Sequence, residues 1–145
     1  MRTLAALVSM LVATPALAGG VSWSFIVEDV QQSPARPEVT ILLRPFEPGP
    51  QFPESCPMLA VTARFEREPF WRRTWSRELV TEASHAEAVE VLRQAAANRA
   101  PVRFGSMGTG LGPTGTGPCS MRSKGLALIE ENGGTKAVFS FHDPI

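Results

Sequence analysis

The chain has 145 residues, with 14 basic against 14 acidic side chains, 43% hydrophobic residues and two cysteines. That length suits one domain with a core of its own and is short for two. The even charge balance excludes a general nucleic-acid or polyanion binder, which carries a clear basic excess.

Arg2 gives a positive start, Leu4 to Ala13 is apolar except for Ser9, and Thr14-Pro15 ends the run. Ala16-Leu17-Ala18 then places small residues at the two positions that a signal peptidase reads. Residues 1–18 are expected to be a bacterial-type signal peptide, and the protein to be periplasmic or secreted. The run falls short of the roughly 20 apolar residues that span a bilayer, and no later stretch reaches that length. A lipoprotein needs a cysteine just after the cleavage point, whereas the first one here is Cys56. The mature part, residues 19–145, is expected to be a single β-rich domain that does not span a membrane.

Val21, Trp23, Phe25 and Val27 alternate with Ser22, Ser24 and Glu28, the pattern of a strand with one wet face. After the turn-rich segment 31–37, Val39, Ile41 and Leu43 alternate with Glu38, Thr40 and Arg44. A proline-rich loop from Glu47 to Pro57 follows, because its prolines cannot donate to a ladder. Leu59, Val61, Ala63 and Phe65 then repeat the alternation. In an exported chain the two cysteines read as one disulfide, Cys56–Cys119. Neither has the C-x-x-C spacing of a redox or zinc site. Closing a loop of about 64 residues contributes on the order of 4 kcal/mol in the chain-entropy account.

Phe70-Trp-Arg-Arg-Thr-Trp-Ser-Arg77 is the most distinctive local feature. In strand geometry Trp71, Arg73, Trp75 and Arg77 share one face, and Arg72 lies on the other. Indoles interleaved with guanidiniums can stack on sugars or grip anionic groups, and both residue types dominate interface hot spots. If the indoles are instead core, the arginines snorkel along apolar surface. Exposure makes Trp71, Arg72, Arg73, Trp75 and Arg77 the expected surface for a glycan, an anionic ligand or a protein.

Ser84 and Glu87 have capping-box spacing ahead of an apolar stripe, Ala88, Val89, Val91, Leu92, Ala95 and Ala96. The spacing predicts a helix over about 85–98, ended by Pro101. Val102 to Met107 reads as a strand entering a glycine-rich loop. Within that loop, residues 110–115 match G-x-G-x-x-G, but no helix follows to meet a pyrophosphate, so no nucleotide is expected. The stretches Ser120–Glu131 and Thr135–Asp143 flank Asn132-Gly133, a strong hairpin signal.

This order predicts a mainly β (α+β) fold: a small antiparallel barrel or sandwich of six or seven strands, its helix inserted before the last three. An OB (oligonucleotide/oligosaccharide-binding) barrel has the same element order, by analogy alone. His85 is expected to be an exposed first-turn residue. His142 and Asp143, adjacent on a strand, point to opposite faces and cannot act as a catalytic pair. Glu28, Asp29, Glu66 and Glu68 are the carboxylates that could meet in space. No metal site, cofactor or nucleophile–base pair is identifiable. The expected function is a non-catalytic module binding an extracytoplasmic ligand or protein. The alternatives are an inhibitor of a secreted or host hydrolase, with the Glu47–Pro57 loop as its edge, and a small hydrolase.

Overall fold

The structure is a computed structural model, and it describes residues 20–32, 34–46, 57–67, 78–107, 119–131, 134 and 136–141. Among the described residues seven strands and one complete helix follow in chain order: β1 (Gly20–Gln32), β2 (Val39–Pro45), β3 (Leu59–Ala63), α1 (Glu82–Asn98), β4 (Pro101–Met107), β5 (Ser120–Ser123), β6 (Gly125–Glu130) and β7 (Lys136–Phe141); Glu78 and Leu79, ahead of α1, are also helical. They form one sheet in the order β5-β3-β2-β1-β4-β7-β6, curled into a half-barrel. The β-rich class and the helix ahead of the last strands are as the patterning predicts.

The sheet is mixed, which corrects the antiparallel expectation. β3 pairs parallel to β5, and β4 pairs parallel to β7; the other neighbours are antiparallel. Parallel neighbours need long crossovers, and here they are supplied by the helix with β4 in one case and by β5–β6 in the other. The likeness to an OB barrel, which has five strands, ends at the order of elements.

The arm expected as one strand over Ser120–Glu131 is two. Its first half, β5, lies on one end of the sheet; its second half, β6, lies on the other, and only Lys124 separates them. The chain itself therefore joins the two ends of the curled sheet. The backbone N–H of Lys124 donates to Phe141 O at 2.7 Å, while its own carbonyl accepts from Glu66 N at 2.9 Å. Buried Ser123 holds the bend, donating from Oγ to Gly125 O at 2.8 Å. β1 is longer than its alternation suggests and runs on to Gln32. A register shift between Val27 and Asp29 sets Glu28 out as a bulge, a device that adds the twist a curled sheet needs.

The concave face holds the main core. Phe25, Val27, Val39, Ile41, Leu43, Val61, Phe104 and Leu126 meet Ala88, Val89 and Leu92 of α1, and the rings of Phe25 and Phe104 pack edge to face at 6.3 Å. A second cluster occupies the other face at β6 and β7: Ala127, Ile129, Ala137, Phe139 and Phe141, covered by Val80 with Leu79 and Phe65. Both faces of these two strands are thus apolar, which is why their sequences read as runs and not as clean alternation.

The helix starts one turn earlier than the Ser84/Glu87 spacing implies. Thr81 is the N-cap and Ser84 is the third helical residue: Ser84 N donates to Thr81 Oγ1 at 3.0 Å, and Thr81 N donates to Ser84 Oγ at 2.8 Å. Ser84 thus completes the box from the far side, as Glu or Gln usually does. At the other end Arg99 sits in the left-handed region at φ 49°, with Pro101 opening β4. The β6–β7 hairpin is as expected. Its Asn132-Gly133 turn lies outside the described residues, and Gly134 takes φ 79° beside it.

Candidate functional site

Helix α1 closes the half-barrel unevenly. It packs mainly against β6 and β1, and beyond the Val39–Ala63 end of the β2–β3 ladder a space remains beside it. There the chain runs past β3 through residues 64–67, and a cleft of about 730 Å³ lies between this extension and the helix. That volume falls in the range of small-ligand sites. Val39, Val89, Ala86 and Pro37 give it an apolar lining, and Arg64, Arg67 and Arg93 bring three guanidiniums, with Glu66, Glu82 and His85 among them.

The charges are arranged unequally. Arg67 pairs with Glu82 across the cleft, both largely exposed, so the pair is worth under about 1 kcal/mol and opens readily. Lys124 Nζ holds Glu66 at 2.9 Å. Arg93 donates to Gln32 at the end of β1 and lies 3.8 Å from Glu90. Arg64 has no carboxylate partner among the described residues. A guanidinium without a partner is free to meet an incoming anion by two parallel hydrogen bonds.

His85 is not the exposed residue that its place in the first turn suggests. It is half-buried, its ring lies 6.2 Å from that of Phe65, and its Nδ1 accepts the backbone N–H of Leu126 at 3.2 Å. Ser84 Oγ reaches the carbonyl of the same residue at 3.3 Å. Two side chains of the helix therefore satisfy both backbone groups of Leu126 at the open edge of β6. Burial pushes His85 below its ordinary pKa of 6.5, so the ring is neutral with its proton on Nε2.

A second polar cluster joins β1, β4 and the end of β6. Arg103 donates to Ser22 O at 3.0 Å, to Ser22 Oγ at 2.7 Å and to Glu131 at 3.4 Å, and Ser22 donates to Glu131. The three side chains satisfy one another, so the cluster clasps strands and leaves no group poised for a ligand. Neither cluster was legible as a constellation, because their members are scattered along the chain.

Trp71, Arg72, Arg73, Trp75 and Arg77 lie outside the described residues, as do the glycine-rich loop 108–118, Cys56, Glu68, His142 and Asp143. The neighbours of the tryptophan–arginine segment are placed: Arg67 borders the cleft, and Val80 is buried in the second core. Cys119 is half-buried against the main core, its carbonyl accepting Ala60 N at 3.0 Å. Of the carboxylates that could meet, Glu28 pairs with Arg44, Asp29 accepts from Val30 N and Gln31, and Glu66 pairs with Lys124. Each is held by a different partner. Among the described residues no three His, Cys, Asp or Glu group as metal ligands, and no helix is long and apolar enough to cross a membrane. No protein-family model matches the chain, and neither a curated protein nor a solved structure matches it.

Proposed function

We propose that this is an exported, disulfide-closed binding module, that its cleft between α1 and residues 64–67 takes an extracytoplasmic ligand or protein, and that it is not a catalyst. The observation that carries the reading is the cleft: an apolar lining shared with three arginines, one of which has no carboxylate partner among the described residues. Such a lining retains a ligand's body, while the guanidiniums fix an anionic group. In sequence, Arg67 is followed by the segment holding Trp71, Arg72, Arg73, Trp75 and Arg77, whose indoles and guanidiniums can stack on sugars or grip anionic groups. Residues 1–18 direct export, and Cys56 pairs with Cys119 in that oxidising setting.

Capture from periplasmic or culture extract tests this reading. The wild-type protein is expected to retain a ligand that Arg64→Glu and Trp71→Ala lose while melting normally. Equal retention by all three proteins, or by none, would remove the cleft from the account.

One observation favours inhibition of a hydrolase as a second reading. Phe46 and Met58, the exposed large apolar residues among the described ones at 49% and 38%, flank the proline-rich loop in sequence. An inhibitor presents such a loop to its target, and a stoichiometric complex blocking a secreted hydrolase would establish it.

A further inference from the structure

The wall of the cleft facing the helix is the extension of the chain past β3, residues 64–67, where the pairing of β3 with β2 has ended. Arg64 N donates to Ser123 O at 3.0 Å and Glu66 N donates to Lys124 O at 2.9 Å. Alternate residues of an extended chain present their backbone groups to opposite sides. The N–H and C=O of Phe65, between those two, therefore face away from β5, toward the side on which β2 pairs with β3. There the ladder ends at Val39 opposite Ala63. Two residues further along, the position facing Phe65 belongs to Pro37, which has no N–H to give. Pro37 and Phe65 both line the cleft, and no backbone partner for Phe65 exists among the described residues.

Unpaired edge groups beside an apolar groove are the elements of strand addition, in which main-chain hydrogen bonds give affinity and side-chain pockets give specificity. The helical wall runs from Glu82 to Arg93, which at 1.5 Å per residue is about 16 Å, the span of roughly five extended residues. Three guanidiniums against two carboxylates, with His85 neutral and Glu66 held by Lys124, favour negative charge in the occupant. The exposed Arg67–Glu82 pair opens at little cost and frees a second guanidinium.

We infer that the cleft binds an extended acidic peptide segment of a partner protein, which pairs with the backbone of Phe65 and places its carboxylates on Arg64 and Arg67. The inference rests on the binding function proposed above and names the class of ligand.

The test uses the full-length purified protein and a capped five-residue peptide alternating aspartate and valine, followed by NMR. Binding is expected to slow hydrogen exchange at the Phe65 amide. Methylating the peptide's backbone nitrogens is expected to weaken binding tenfold or more, and so is Arg64→Glu in the protein; tenfold corresponds to about 1.4 kcal/mol. A matching lysine–valine peptide is expected not to bind. If the aspartate peptide fails while inorganic phosphate or an anionic disaccharide shifts the cleft amides, strand addition falls and the binding function stands. If peptide, phosphate and disaccharide all leave the cleft amides unmoved, both fall. Equal binding of the methylated and unmethylated peptides also overturns the inference.

Discussion

Replacing His85 by glutamine separates a pH-dependent contact from a constant one. In the native protein Nδ1 of His85 accepts the Leu126 N–H, and a protonated ring cannot accept there. Its folded pKa lies below the ordinary 6.5, so the unfolded chain takes up the proton first as pH falls. The contribution is complete above about pH 6.5 and declines as pH drops from there through the depressed folded value. One group gives at most about 1.4 kcal/mol per pH unit, and solvent on the half-exposed ring lowers that. Glutamine offers an amide oxygen to the same N–H and does not titrate. Thermal melts of the two proteins between pH 7.5 and pH 5 are expected to show the native protein losing more stability than His85→Gln. Each kcal/mol corresponds to roughly 3–6 °C for a domain of this size. His142 and every carboxylate are common to both proteins and cancel in the difference. A difference that stays constant with pH would refute the reasoning.

Ser140→Ala is expected to leave stability unchanged or raise it by about 1 kcal/mol in urea titration, because the buried Ser140 Oγ has no hydrogen-bond partner among the described residues. Leu92→Ala, at the fully buried centre of the helix–sheet contact, is expected to cost about 2–5 kcal/mol by the same measurement. Thiol counting on the unfolded, unreduced protein is expected to find no free thiol. Reduction is expected to lower the melting temperature, consistent with a loop closed between Cys56 and Cys119.

Much of the fold is legible because its signals are local. Val39, Ile41 and Leu43, then Leu59, Val61 and Ala63, alternate as written and fall on the buried face. The stripe containing Ala88, Val89 and Leu92 packs as its spacing demands. The misreadings concern partners remote in sequence. Nothing near Ser120 says that this arm leaves one end of the sheet for the other at Lys124, and parallel pairing leaves no mark in either strand. Thr81 and Ser84 on one hand, and Ser84 and Glu87 on the other, both have capping spacing; the earlier box forms, with Ser84 Oγ also reaching Leu126. His85 looked exposed because its partner, Leu126, lies 41 residues away. The cleft draws its lining from the β1–β2 connection, the β3 extension and the helix, so no single stretch announces it.

The most direct measurement is amide mapping of the labelled protein against whatever the extract capture retains. The account predicts that shifts concentrate at Gln32, Arg64–Arg67 and the helical residues from Glu82 to Arg93. Shifts confined to the β4, β6 and β7 amides, with those positions silent, would contradict it.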